Sequence, residues 1–148
     1  MKKLQIYIDG ASKGNPGPAG IGVVICENET VIKNLSYYIG KTTNNVAEYL
    51  ALIYALQEAL ILKAESIKIN TDSQLLYKQI KKDYRIKDEK IFLFYQIVQH
   101  LFTGFKEIEI NFIPREKNKE ADKLANLALI KQLKSSLTEQ KVVATPNF

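Results

Sequence analysis

The spacing of apolar residues changes period along this chain, and that change restricts the fold more than any other feature. Residues 3–9 alternate, with Leu4, Ile6 and Ile8 on one face and Gln5, Tyr7 and Asp9 on the other. A period of two is that of a half-buried strand. Ile21 to Glu27 and Thr30 to Gly40 read as two further strands with a short turn at Asn28-Glu29. Gly10 to Gly20 consists of turn formers and reads as a loop. Three strands with short connections predict an antiparallel meander. The period then becomes helical: Val46, Tyr49, Leu50, Ile53, Tyr54, Leu56 and Leu60 predict a helix over about 45–63. Ser66 to Thr71 is a short strand and Ser73 to Lys82 a helix. Asp88 caps another helix, whose apolar stripe is Ile91, Phe94, Tyr95, Val98, Leu101 and Phe102. Glu107 to Ile113 alternates again and Pro114 ends it. A last helix is expected over about 119–134, with Ala121, Leu124, Ala125 and Ala128 on one face.

The order βββαβααβα predicts an α/β fold. Its mixed sheet is antiparallel at one edge and parallel elsewhere, with helices on both faces. The 148 residues suit one domain, expected over 1–134. Residues 135–148 carry no convincing period and read as a C-terminal tail, for which the sequence leaves open a flexible segment, an added edge strand or a partner-docking segment. With 46% hydrophobic and 25% charged residues, the composition excludes a disordered or collagen-like chain. The single cysteine, Cys26, cannot form an internal bridge. The longest apolar run, Tyr49 to Leu56, is too short to span a bilayer. Gln5 and Asp9 interrupt the apolar stretch behind Met1-Lys2-Lys3, which argues against a signal peptide. A cytoplasmic, unprocessed monomer with no membrane partner is expected. The formal charge of +5 is compatible with a nucleic-acid partner.

Four acidic residues sit where a strand ends or a helix begins: Asp9, Glu48, Asp72 and Asp122. Each has a local structural explanation. Asp9-Gly10 suits a turn. Asn45-x-x-Glu48 suits a variant capping box. Asp72 suits a helix N-cap, and Asp122 suits the first turn of a helix. Together they suggest more. Ligand sites in α/β sheets gather at the carboxyl ends of parallel strands. If the first and fourth strands are parallel neighbours, Asp9 and Asp72 lie side by side. Clustered carboxylates need a cation to stay ionised. Hard oxygen donors suit Mg²⁺ or Mn²⁺, and a bridged pair of such ions suits in-line hydrolysis of a phosphodiester.

Four blocks carry a resemblance. They are Tyr7-Ile-Asp-Gly-Ala-Ser-Lys-Gly-Asn-Pro-Gly-Pro-Ala-Gly20, Thr42-Thr-Asn-Asn-Val-Ala-Glu48, Asn70-Thr-Asp-Ser-Gln74 and Pro114-Arg-Glu-Lys-Asn-Lys-Glu-Ala-Asp-Lys-Leu-Ala125. In order and spacing they resemble the motifs of type 1 ribonuclease H, over about residues 3–130. The resemblance implies a mixed five-stranded sheet and an endoribonuclease that cleaves the RNA strand of RNA–DNA hybrids. It also implies two Mg²⁺ ions, with Mn²⁺ as a substitute, and 5′-phosphate and 3′-hydroxyl products. It makes Asp9, Glu48, Asp72 and Asp122 the catalytic, metal-binding set, with Glu48 also facing the RNA 2′-hydroxyl. Asn15, Asn45 and Gln74 match positions that contact the hybrid in its minor groove. Thr43 matches a position that binds a DNA-strand phosphate, and Asn44 lies in the same block. Neutral amides and hydroxyls suit such contacts, because they donate without repelling the cations.

The sequence departs from the family pattern in three places. The only histidine, His100, falls half a turn from the apolar stripe of its helix and is expected at the surface. The loop before Asp122 offers Arg115, Glu116 and Lys117 where many relatives carry a histidine. Arg115 is the candidate for that role, with phosphate binding as the equal alternative. The connection from Lys82 to Asp88 leaves no room for a basic protrusion, and tryptophan is absent. Lys78 to Lys90 still holds six cations against three anions, which suits either a solvated helix edge or a reduced DNA-strand surface. Two rival readings remain: a non-catalytic module binding hybrid or double-stranded RNA, and a nuclease of the same fold with double-stranded RNA as an additional substrate.

Overall fold

The computed structural model describes residues 1–138. Its elements are β1 (Lys3–Ser12), β2 (Gly17–Glu27), β3 (Thr30–Thr42), α1 (Asn44–Ile61), β4 (Ser66–Thr71), α2 (Gln74–Ile80), α3 (Glu89–Phe102), β5 (Glu107–Phe112) and α4 (Lys119–Thr138). A single 3-10 turn, Arg115–Lys117, precedes α4. The strands form one five-stranded sheet in the order β3-β2-β1-β4-β5. β1, β2 and β3 pair antiparallel, and β4 runs parallel to both β1 and β5. This is the mixed sheet that the change of period predicts.

Alternation decides which side chains face which layer. Leu4, Ile6 and Ile8 of β1 share a face with Ile21, Val23 and Ile25 of β2 and Ile67 and Ile69 of β4, and all are buried. α1 lies on that face, between the sheet and α3. Its Tyr49, Leu52, Ala55, Leu56 and Ala59 have no exposed surface. An apolar helix of this kind is stable only when it is covered on both sides. α4 covers the opposite face over β1, β2 and β3. It approaches closely because β2 offers no side chain there: a Cβ on Gly22 would stand 2.1 Å from the Ala121 carbonyl oxygen. Ala121, Ala125 and Ala128 line the contact and are buried, as their spacing predicts.

The stretch from Gly10 to Gly20 differs from the expected loop. β1 continues to Ser12 and β2 begins at Gly17, so only residues 13–16 bend. Turn formers sit in these strands for packing reasons, Gly20 and Gly22 because α4 approaches there. The turn at Asn28-Glu29 is as expected, with both residues left-handed at φ 51 and 65, the backbone of a tight hairpin. α2 and α3 are joined by 81–88 without further helix, so the protrusion is absent as predicted. Asp88 caps α3 through Ile91 N–H at 2.9 Å, and His100 is exposed. α4 runs four residues beyond its expected end, to Thr138. The remainder of the expected tail, 139–148, lies outside the described residues. No helix among the described residues is long and apolar enough to cross a membrane.

Candidate active site

At the centre of the sheet the parallel pairing of β1 with β4 stops, where β4 ends and β1 runs on beside β2 alone. The last pair between β1 and β4 is Ile8 with Thr71, so Asp9 and Asp72 are the next residues on two adjacent chains. Neither acid serves the local role its sequence context offers. Asp9 lies within β1, paired with Gly22, and is not in a turn. Ser73, not Asp72, caps α2: its Oγ accepts from Leu76 N–H at 3.2 Å. Ser73 N–H in turn donates to Thr71 Oγ1 at 3.0 Å. The residues flanking Asp72 are thus tied to each other and its carboxylate is left for the cleft. Thr43, not Asn45, caps α1 by accepting from Val46 N–H at 3.3 Å. That removes the capping explanation of Glu48. Only Asp122 sits where the helix dipole favours it, in the first turn of α4.

Glu48 reaches the cluster because Gly10 lacks a side chain. A Cβ on Gly10 would meet the Ala47 carbonyl carbon at 2.3 Å. α1 therefore lies directly on β1, and Gly10 N–H donates to Glu48 Oε1. One carboxylate oxygen from each of Asp9, Glu48 and Asp72 lies within 4.8 Å of the others. Asp9 and Glu48 are buried, at 6% and 5% exposure. Asp122 is exposed at the rim, where its carboxylate hydrogen-bonds the Asp9 carboxyl.

The electrostatics follow from this crowding. Burial, then repulsion from Glu48, Asp72 and Asp122, pushes Asp9 up to about 9. Burial pushes Glu48 up to about 8, against the Gly10 hydrogen bond that favours its charged form. Burial also raises Asp72, opposed by a hydrogen bond from Asn118 and by the Arg115 guanidinium. Three converging hard oxygen donors can hold a divalent cation, and the charge they lack is what such an ion supplies.

The cleft has a volume of about 350 Å³, and the four acids, Asn44 and Arg115 are among its lining residues. Asn44 and Asn15 stand together, since Asn15 Oδ1 accepts from Asn44 N–H at 3.0 Å. Gln74 is exposed at the start of α2, two residues beyond Asp72. Thr43, Asn45, Asn15 and Gln74 flank the cleft without lining it. Asn45 Oδ1 is buried and has no hydrogen-bond partner. Lys78 stands over the Tyr84 ring at 5.0 Å, and Lys81, Lys82, Arg85, Lys87 and Lys90 are exposed.

Two site residues escape the sequence reading. Asn126 Nδ2 donates to the Asp122 carbonyl at 2.9 Å and to its carboxylate at 3.2 Å, one helical turn away. Asn118 is fully buried and bonds to the Ile8 carbonyl at 2.8 Å. The four-residue spacing of Asn126 from Asp122 is a signal available in the sequence. For Asn118 there is none, because its partners are remote in the chain.

A family model described as reverse transcriptase-like matches residues 7–128. The ribonuclease H1 of the archaeon Halobacterium salinarum superposes with a TM-score of 0.85 and 38% identity, covering 87% of this chain and 98% of that one. The N-terminal ribonuclease H domain of Rv2228c from Mycobacterium tuberculosis gives 0.87 and 37%, covering 92% and 99%. LC11 ribonuclease H1, solved in complex with an RNA/DNA hybrid, gives 0.83 and 39%, covering 88% and 99%. The match to the whole bifunctional protein Rv2228c is 37% identical over 97% of this chain, and it spans 41% of that protein's length.

Proposed function

Since the chain belongs to the type 1 ribonuclease H family, we propose that it is an endoribonuclease hydrolysing the RNA strand of RNA–DNA hybrids. The products are 5′-phosphate and 3′-hydroxyl ends. The observation that carries this reading is the convergence of Asp9, Glu48 and Asp72 within 4.8 Å, at the carboxyl ends of parallel strands in an open cleft. A pure binding module gains nothing from clustered negative charge beside phosphates.

Asp9, Glu48, Asp72 and Asp122 would hold two Mg²⁺ ions, or Mn²⁺ in their place. When bound, the ions supply the charge that ionises the attacking water and neutralises the departing 3′-oxygen. Asp9 and Asp72, adjacent at the end of the β1–β4 pairing, would supply the central ligands. Glu48, held by Gly10 N–H on the α1 side, would face the strand that carries the 2′-hydroxyl. Asn15 and Asn44 form one polar edge of the cleft, with Asn45 and Gln74 beside it, and these amides suit sugar and base edges of the minor groove. Thr43 spends its acceptor on the cap, and its hydroxyl proton remains for a phosphate oxygen. Exposed cations between Lys78 and Lys90 would follow the DNA strand.

The test is cleavage of an end-labelled RNA–DNA hybrid in Mg²⁺ and in Mn²⁺, beside double-stranded RNA, double-stranded DNA and single-stranded RNA. Internal cutting of the RNA strand of the hybrid is expected. Hybrid binding without cutting in either metal would replace the enzyme with a binding module, and cutting of double-stranded RNA would widen its substrate range.

Arg115 lines the same cleft and draws both Glu48 and Asp72 toward their charged forms. We assign it the auxiliary role that relatives give to a histidine. Arg115→Ala is then expected to lower kcat by roughly 100- to 1000-fold. A rise in KM at constant kcat would make Arg115 a phosphate anchor only.

A further inference from the structure

We propose that Asn118 is a positioning residue: it locks the ends of β1 and β4 to the turn that carries Arg115 and Asp122, and so sets the spacing of the acidic cluster. The inference rests on the nuclease reading above. Asn118 is 1% exposed, the least accessible polar side chain near the cleft together with Thr71. Three of its polar groups tie separate parts of the site together. Its backbone N–H donates to the Arg115 carbonyl at 2.9 Å, and its carbonyl accepts from Asp122 N–H at 3.1 Å. Its side-chain Nδ2 donates to the Ile8 carbonyl at 2.8 Å. Its side-chain amide also faces the Asp72 carboxylate closely enough to favour that group's charged form.

The Ile8 bond sits at a specific place. Pairing of β1 with β4 stops at Ile8 and Thr71, one residue before each acid. Asn118 therefore takes over where the sheet ladder ends, and it holds the backbone immediately before Asp9. The remaining atom, Oδ1, is buried with no partner. A buried acceptor left unpaired is unfavourable, so the amide is retained for its donor end. The reverse orientation would set Oδ1 against the Ile8 carbonyl and the Asp72 carboxylate, two acceptors. A residue that only filled space would need none of this.

Groups that orient metal ligands act on metal affinity and turnover together, by about 10- to 100-fold. Asn118→Ala is therefore expected to weaken the calorimetric Mn²⁺ isotherm and to lower kcat on the hybrid by that factor, with KM within about threefold. Asn118→Asp keeps the volume and replaces donors by acceptors. It is measured in the same way and decides the matter if the alanine variant does not fold. In the unsubstituted protein, the Asn118 side-chain amide protons should be protected from exchange and should shift when Mg²⁺ is added. A lower melting temperature with unchanged isotherm and kcat would make Asn118 a fold stabiliser only and overturn the proposal, as would freely exchanging amide protons. If the unsubstituted protein does not cut the hybrid, the nuclease reading fails, while the Mn²⁺ isotherms still decide the role of Asn118.

Discussion

Asp9→Asn is expected to abolish cleavage while making the metal-free protein more stable. The two effects have one cause. Asp9 is buried, faces Glu48, Asp72 and Asp122, and is pushed up to about 9 by burial and their repulsion. Asparagine has the same shape and carries no charge to repel or to desolvate. Without a metal ion, the substitution relieves a penalty, and the melting temperature in EDTA at pH 8 should rise by about 4 °C or more. That corresponds to a gain of roughly 1–2 kcal/mol in a domain of this size. Catalysis goes the other way. A cation at the cluster is attracted by the charge the substitution removes, and the loss in kcat should be on the order of 10³-fold or more, the scale on which one charge-stabilising group acts. A folding lesion would lower both readouts, so opposite signs separate a working carboxylate from a structural one. Activity within tenfold of the unsubstituted protein would remove Asp9 from the chemistry.

The sequence makes the frame of this site legible and leaves its fine structure hidden. The switch from alternating to helical spacing yields the element order, because the period depends only on which face is buried. The local patterns mislead wherever a tertiary contact competes with them. Gly10 to Gly20 reads as a loop by composition, yet β1 and β2 run through most of it. Gly10 and Gly20 are small because α1 and α4 press on the strands, and nothing in the local sequence announces a helix above them. The capping pattern at Asn45 and Glu48 is equally plausible on paper. Thr43 takes the cap instead, and Glu48 turns toward Gly10. Asp72 follows the same logic, displaced from its cap by Ser73. Asn118 shows the limit most clearly, since its side-chain partners Ile8 and Asp72 lie 110 and 46 positions away.

In EDTA, the melting temperature should fall as pH rises from 5 to 9, the reverse of the usual behaviour of salt-bridged carboxylates. Asp9 is pushed up to about 9 and Glu48 to about 8, while both titrate near 4 in the unfolded chain. Between these limits the folded state holds protons that the unfolded state has released. Stability is then fully present below about pH 4 and is lost as pH climbs through the folded values. Each carboxyl that stays protonated contributes a slope of up to about 1.4 kcal/mol per pH unit. A divalent ion replaces those protons, because its ligands must be ionised. Saturating Mg²⁺ or Mn²⁺ should therefore flatten the slope, raise the melting temperature most at pH 8–9, and release protons on binding. At a metal concentration of about 100 Kd the gain is roughly 2.7 kcal/mol per site. Two controls bind the effect to the cluster: Asp9→Asn should roughly halve the EDTA slope, leaving the share of Glu48, whose own burial raises it, and Glu109→Gln, exposed on β5 in a pair with Lys68, should leave the slope unchanged. A melting temperature independent of pH in EDTA would mean that the acids are ionised without a metal, and that solvent rather than a cation satisfies their charge.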